Sequence, residues 1–232
     1  MTKEIIKAAV IGDPISHSLS PKIHQYFLKK YNLTGSYKAI QITKENLKSE
    51  VKNLAKNNYA GFNVTIPHKE EIFKICDHKS KSSTLTKAVN TVIITKDGKF
   101  FGHNSDVDGF LNNLKDQHPN FDLKNKVAFV IGAGGAARAI IYGLIKSQVK
   151  EIFITNRSED RANNLIKDFT EFSKEKSCKI TFLNQNSFEN NLNNCDFLTN
   201  STSLGMLNQN ELVLDIKNIK KSAIIYDIVY NP

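Results

Sequence analysis

The chain has 232 residues, of which 40% are hydrophobic and 24% charged, and its formal net charge is +9 at pH 7. This composition is typical of a globular protein and excludes fibrous, collagen-like and wholly disordered chains. The lysines are scattered along the chain and are not clustered with aromatic residues, which argues against a nucleic-acid-binding protein and leaves small anions as partners.

Three widely spaced cysteines without a Cys-x-x-Cys pair indicate a reducing compartment and argue against a structural zinc site. The first residues do not resemble a signal peptide, and no apolar run approaches the roughly 18 residues of a membrane span. We therefore expect a cytoplasmic monomer or homodimer that binds neither metal, membrane nor nucleic acid. The length allows one large domain or two modest ones.

The N-terminal half alternates predicted strands and helices. In chain order these are a strand at 8–11, a helix from Ser20, a strand near 37–42, a helix over 47–54, a strand from 61, and a hairpin formed by 90–94 and 99–101. We expect Ser20 to cap the first helix, because Pro21 suits the first helical position. Two successive β–α units predict a parallel sheet, and the Asp97-Gly98 turn predicts a hairpin appended to it.

The C-terminal half, from about residue 120, is predicted to be a doubly wound α/β domain. Its predicted strands are at 127–131, 151–155, 180–183, 197–199 and 223–226, with amphipathic helices after the first two. The Asn-rich stretch 184–194 predicts a loop around a short helix.

The first strand of this half runs into the glycine-rich segment 132–138, which then opens a helix. Gly132 permits a tight turn, and Gly134 lets the backbone approach a pyrophosphate at the helix N-terminus. A turn selected only for packing is the alternative. We assign phosphate binding to five residues: Gly132, Ala133, Gly134, Gly135 and Ala136.

The residues at the end of the predicted strand 151–155 indicate whether the cofactor is NAD or NADP. Asn156, Arg157 and Ser158 stand there, and Arg161 lies one turn into the next helix. NAD enzymes usually place an acid at this point to bind the ribose 2′-hydroxyl, whereas guanidinium groups can clamp a 2′-phosphate. These four residues therefore favour NADP over NAD.

Compact polar motifs follow or precede several of the predicted strands. They are Ser18-Leu19-Ser20-Pro21, residues 63–69, Ala88-Val89-Asn90-Thr91, Asn104-Ser105-Asp106, residues 200–206 and residues 227–230. Together with the two nucleotide motifs, and in this order along essentially the whole chain, they resemble the shikimate dehydrogenase family.

The resemblance implies two α/β domains: an N-terminal substrate domain with a mainly parallel sheet over residues 1–107, and a Rossmann-type NADP-binding domain over 108–232. It also implies NADPH-dependent reduction of 3-dehydroshikimate to shikimate, a step in the biosynthesis of aromatic amino acids. Lys69 and Asp106 match the family's catalytic pair.

Other roles carried over by the resemblance concern binding. Ser18 and Ser20 match the residues that hold the substrate carboxylate, and Ile228 matches a backbone contact to the nicotinamide end of the cofactor. Thr65, Asn90 and Tyr230 match the remaining substrate contacts.

The chemistry suits these residue types. Hydride arriving at a ketone carbon leaves negative charge on the oxygen, which a positioned ammonium can stabilise and protonate. We therefore expect Lys69 to donate the proton and Asp106 to orient it. Taken alone, Lys69 fits a solvated surface lysine, Ser20 a helix cap, and Thr65 and Asn90 turn residues.

Three features depart from the family pattern. Ser105 replaces a threonine, and Lys87 stands where a glycine usually precedes Ala88. The chain ends at Asn231-Pro232, where family members continue with helices that carry further contacts. We therefore expect weak or absent activity, and the alternative to a working enzyme is a truncated or decayed homologue that binds NADP.

Overall fold

The computed structural model describes residues 5–229, and the chain divides between Ser105 and Asp106 into two compact units. The strands of the first unit are β1 (Ile6–Gly12), β2 (Gly35–Gln41), β3 (Gly61–Val64), β4 (His78–Lys79), β5 (Thr91–Ile94) and β6 (Phe100–His103). Its helices are α1 (Ser20–Lys30), α2 (Leu47–Lys56), α3 (Lys69–Ile75) and α4 (Lys81–Thr86).

The first unit is built on a mixed six-stranded sheet of order β2-β1-β3-β5-β6-β4. β1 pairs in parallel with β2 and β3, whereas β5 is antiparallel to both β3 and β6. The predicted hairpin therefore forms, and it is added to the parallel strands at β3. It continues the sheet, because β5 pairs with the edge of β3 that would otherwise leave backbone groups unpaired.

The core of the first unit lies between its sheet and α2. Leu47, Val51 and Leu54 of this helix are all buried, as their spacing predicts. They join one apolar cluster with residues of β1 and β3, such as Ile11 and Phe62. This packing holds the carboxyl ends of β1 and β3 in fixed positions.

The second unit contains a five-stranded sheet, entirely parallel, of order β11-β10-β7-β8-β9. The strands are β7 (Val127–Ile131), β8 (Glu151–Thr155), β9 (Lys179–Phe182), β10 (Phe197–Asn200) and β11 (Ile224–Asp227). The helices are α5 (Asp106–Gln117), α6 (Gly135–Lys146), α7 (Glu159–Glu175) and α8 (Gln185–Asn190), followed by a 3-10 turn over Leu192–Asn194.

The strand order of the second unit reverses between β7 and β10. In doubly wound sheets, ligands bind outside the carboxyl ends of the strands at such a reversal. The Asn-rich stretch forms the expected short helix, and its Phe188 is fully buried against Phe129 of β7. Across residues 5–229, each helix is either too short or too polar to cross a lipid bilayer.

Candidate active site

Two of the predicted substrate residues of the first unit lie at adjacent ends of neighbouring strands. Thr65 comes directly after β3, and Asn90 comes directly before β5. β5 is antiparallel to β3, so the start of β5 and the end of β3 are adjacent. The amide of Val64 donates to the carbonyl oxygen of Asn90 at 2.8 Å, which fixes this adjacency.

Ser18 and Ser20 lie at the start of α1, and here the expectation about capping is wrong. Ser20 is the first residue of the helix, the N-cap position is taken by Leu19, and no side chain caps the helix. Instead the Oγ of Ser18 accepts a hydrogen bond from the amide of Ser20 at 3.3 Å. Helix capping therefore does not explain the hydroxyl of Ser20, and both serines are half-buried.

Lys69 begins α3, and its backbone is held from two sides. Its carbonyl oxygen accepts from the amide of Val89 at 2.9 Å. The preceding His68 is fully buried, with its ring Nε2 2.6 Å from the carbonyl oxygen of Ile42. A carbonyl can only accept, so Nε2 carries the proton. His68 thereby ties the start of α3 to the end of β2 and supports Lys69, whose side chain is half-buried.

Asn90 is held by the residue that precedes the second unit. Its Nδ2 donates to the Oγ of Ser105 at 2.9 Å, and its Oδ1 accepts from the amide of Ser105 at 3.1 Å. The serine that replaces the family's threonine thus keeps the hydroxyl that this contact uses.

Two supporting residues were not assigned a role from the sequence. Asn63 donates from Nδ2 to the Oγ1 of Thr91 at 3.0 Å, and the hydroxyl of Tyr37 donates to the Oδ1 of Asn63 at 2.6 Å. Burial raises the pKa of Tyr37 to about 12, so its phenol remains a donor at neutral pH. Only the register of β2 and β3 on β1 brings these residues together, which no local motif reveals.

Asp106 and Tyr230 complete the predicted substrate residues. Asp106 is the first residue of α5 in the second unit, a position where acids are common because of the helix dipole. Tyr230 lies outside the described residues.

The glycine-rich turn of the second unit has the geometry expected for phosphate binding. Gly132 adopts a φ of +114°, and a Cβ there would lie 2.6 Å from the Oγ of Ser201. A Cβ at Gly134 would have no atom of the described chain within 4 Å, which leaves room for a ligand on this side of the turn. Helix α6 begins at Gly135 without a side-chain cap; Ala133 precedes its N-cap residue Gly134, and Ala136 is its second residue. Its first amides are therefore available to an anion, which fits a cofactor pyrophosphate.

The residues predicted to select NADP lie at the end of β8. The Nδ2 of Asn156 donates to the carbonyl oxygen of Ser158 at 2.8 Å, and Ser158 caps α7 by accepting from the amide of Arg161. The side chains of Arg157 and Arg161 are both exposed. Two guanidinium groups at this strand end fit a 2′-phosphate better than a neutral ribose.

Ile228 directly follows β11, and its amide donates to the carbonyl oxygen of Asn200 at 3.3 Å. Because this amide already donates to Asn200, the backbone group of Ile228 that can contact a cofactor is its carbonyl oxygen.

Comparison with known proteins gives matches for both units. The family described as "Shikimate dehydrogenase substrate binding domain" matches residues 10–92, and the family described as "Shikimate / quinate 5-dehydrogenase" matches residues 114–230. An NADP-dependent shikimate dehydrogenase of Nitrosopumilus maritimus is 41% identical over 224 residues, which are 97% of this chain and 79% of that protein. A second, of Ruegeria sp., is 37% identical with the same coverage.

Solved structures agree with these matches. Shikimate dehydrogenase of Aquifex aeolicus superimposes with a TM-score of 0.85 at 32% identity, covering 99% of this chain and 81% of that one. The Thermus thermophilus enzyme, solved with NADP(H) and shikimate, has a TM-score of 0.81 at 30% identity, covering 98% and 80%. The expected α/β fold is confirmed, and the alternative of a decayed homologue finds no support. The chain belongs to the shikimate dehydrogenase family.

Proposed function

We propose that this chain catalyses the NADPH-dependent reduction of 3-dehydroshikimate to shikimate. The observation that carries the proposal is the arrangement at the carboxyl end of β3 in the first unit. There, backbone and side-chain hydrogen bonds hold Thr65, Lys69 and Asn90. These residues match the family's substrate and catalytic residues, and the relatives are named for this activity and this cofactor.

The proposed roles follow from the chemistry of the side chains. NADPH, when bound, supplies the hydride. The ammonium of Lys69 then stabilises the negative charge that develops on the ketone oxygen and donates a proton to it, with Asp106 as its catalytic partner. Ser18 and Ser20 are polar donors for the substrate carboxylate, and Tyr230 is a further substrate contact.

The cofactor roles are likewise part of the proposal. Residues 132–136 bind the pyrophosphate through their amides. Asn156, Arg157, Ser158 and Arg161 bind the 2′-phosphate, and the carbonyl of Ile228 contacts the nicotinamide end. We assign the substrate domain to residues 1–107 and the NADP-binding domain to 108–232.

Cellular setting and assembly complete the proposal. The three cysteines are buried and unpaired, and burial raises the pKa of Cys76 to about 11 and that of Cys178 and Cys195 to about 12. Such thiols stay protonated and suit a reducing cytoplasm. We propose a monomer or homodimer that binds no nucleic acid, since the lysines form no stripe with aromatic residues.

The test is an assay of NADPH oxidation with 3-dehydroshikimate, using the full chain and the Lys69→Ala variant. We expect turnover in the unmodified chain, a higher kcat/KM with NADPH than with NADH, and a loss of about 10²–10⁴-fold in kcat on removing the ammonium. The affinity for NADPH, measured by calorimetry, should be unchanged in the variant. The expectation from the sequence that activity is weak or absent stays a prediction, and the turnover number of the unmodified chain in the same assay tests it.

Lys74→Ala is the matched control, because Lys74 lies on the same helix, is exposed, and pairs with Glu71 at 2.8 Å. It should keep the kcat of the unmodified chain. The proposal is wrong if a folded chain that binds NADPH shows no turnover, or if Lys69→Ala is as active as Lys74→Ala.

A further inference from the structure

Asn200 is a buried amide at the carboxyl end of β10, and its side chain makes hydrogen bonds through both of its polar atoms. The Oδ1 accepts from the amide of Thr202 at 3.0 Å and from its hydroxyl at 2.7 Å. The Nδ2 donates to the carbonyl oxygen of Leu204 at 3.1 Å and to the Oδ1 of Asp227 at 3.1 Å. A single side chain therefore shapes the loop after β10 and joins it to the end of β11.

The same loop is attached to β7 on its other side. The amide and the hydroxyl of Ser201 both donate to the carbonyl oxygen of Ile131, at 2.9 and 2.6 Å. Ser201 also lies against Gly132, where a Cβ would clash with its hydroxyl. The loop is thus packed directly on the glycine-rich turn.

Three hydrogen bonds hold the end of β11 and the residues after it: two of them join this segment to Asn200, and the third lies within the segment. Besides the contact from Nδ2 to Asp227, the carbonyl oxygen of Asn200 accepts from the amide of Ile228 at 3.3 Å. The Oδ1 of Asp227 also accepts from the amide of Val229 at 2.9 Å. The position of the Ile228 carbonyl is therefore set through Asn200 and Asp227.

These bonds lie where the strand order reverses, at the ends of β7, β10 and β11. We propose that Asn200 is a positioning residue for hydride transfer: through Asp227 it holds Ile228, and with it the nicotinamide end of the cofactor, in the reactive geometry. The inference rests on the proposed function, because it takes Ile228 as the nicotinamide contact.

The expected effect falls on the rate rather than on cofactor affinity. Hydride transfer requires the reacting atoms to be held about 3–3.5 Å apart, and small misplacements are costly. Within the described chain, the side chain of Asn200 makes hydrogen bonds to Thr202, Leu204 and Asp227, and none of these is a residue assigned to the phosphates. Loosening the Asn200–Asp227 link should therefore lower kcat and leave most of the NADPH affinity intact.

Asn200→Asp breaks this link with little change in shape, because it turns the donor toward Asp227 into an acceptor and sets two carboxylates against each other. We expect kcat to fall about 100-fold, as for an ångström-scale misplacement of reacting atoms. Asp227→Asn should be milder, since its amide oxygen still accepts from Asn200. The double variant reverses the direction of the hydrogen bond between positions 200 and 227, while the bond to the Leu204 carbonyl stays lost in both Asn200→Asp and the double variant. It should therefore recover part of the lost kcat.

Asn191→Asp is the matched control. It makes the same chemical change in the same unit, where the Nδ2 of Asn191 donates only to the carbonyl of Ser187, and it should keep the kcat of the unmodified chain. Thermal unfolding followed by circular dichroism checks that each variant is folded. If Asn200→Asp does not fold, Asp227→Asn and the double variant still distinguish positioning from a general loss of structure.

A second readout does not depend on turnover. The fluorescence of bound NADPH reports the surroundings of the nicotinamide, and we expect Asn200→Asp to change its emission at nearly constant dissociation constant, with recovery in the double variant. A failure of the proposed function appears as no turnover in the unmodified chain, while this readout still tests the positioning. The inference is overturned if Asn200→Asp leaves kcat and emission unchanged, or if affinity and kcat fall together without recovery in the double variant.

Discussion

Helices α1 and α6 occupy equivalent places in the two units, yet their burial differs completely. Each connects two neighbouring parallel strands, β1 with β2 and β7 with β8. Nine of the twelve residues of α6 are buried, whereas none of the eleven residues of α1 is, all of them within the described chain. The topology of the sheet therefore decides where a connecting helix lies. How far the side chains of that helix are buried depends on the other elements that pack against it.

The side chains of the two helices show the consequence. Helix α6 is apolar on most of its circumference, and Ile141, Leu144 and Ile145 are completely buried. Helix α1 exposes 51% of Ile23, 60% of Tyr26 and 43% of Phe27. The second unit should thus resist local opening more than the α1 region of the first, because few buried contacts hold α1 in place.

The strongest test of this comparison is one substitution made in both helices. Ile141→Ala removes a fully buried side chain and should lower the free energy of unfolding by about 2–5 kcal/mol, through lost burial and the cavity left behind. Ile23→Ala makes the same change on an exposed face and should stay within about 0.5 kcal/mol. Urea denaturation measures both. Equal losses would mean that α1 is buried by something other than the described residues.

Much of this architecture could be predicted from the sequence. The buried strands of the second unit and the apolar stripe of α2 carry clear periodic signals, and the glycine-rich turn follows from its motif. Helix α5 is not among the elements predicted from the sequence, although Val107, Phe110 and Leu114 recur at helical spacing and are buried.

Two further kinds of difference remain, one local and one long-range. Ser20 carries the residue types of an N-cap, but the helix begins one residue earlier than that pattern requires, with Leu19 at the N-cap position. The hydrogen bonds of Tyr37 with Asn63, and of Asn200 with Asp227, join separate strands. They depend on sheet register, which a single sequence does not specify locally.

A second test asks whether charge as well as apolar packing stabilises the second unit. Asp196 accepts from the amide of Val127 and from Lys220, each at 2.9 Å, and so ties the start of β10 to the start of β7. Burial alone would raise the pKa of Asp196, but these hydrogen bonds and the charges of Lys220 and Lys126 lower it. Asp196→Asn should cost about 1 kcal/mol at neutral pH, the size of a typical hydrogen bond.

The pH dependence of this loss has a definite sign. A carboxyl pKa that is lower in the folded state stabilises the fold above the unfolded pKa of about 3.9, and the contribution disappears as the pH falls through the folded pKa. Urea denaturation at neutral pH and at about pH 3 should show the variant approaching the unmodified chain in acid. Asp215→Asn, at an exposed pair with Lys217, should show a much smaller loss at neutral pH. A loss that is independent of pH would point to packing instead of charge.

The smallest expected effect concerns the first unit and has the opposite sign. Lys87 ends α4 in the left-handed region, at φ 49° and ψ 33°, where a side chain is unfavourable and a glycine is not. Lys87→Gly should therefore stabilise the fold by about 0.5 kcal/mol, because relief of the backbone outweighs the added freedom of the unfolded chain. The control Lys52→Gly, at an exposed site inside α2, should destabilise by about 1 kcal/mol. If both glycines destabilise equally in urea denaturation, the left-handed conformation of Lys87 carries no strain.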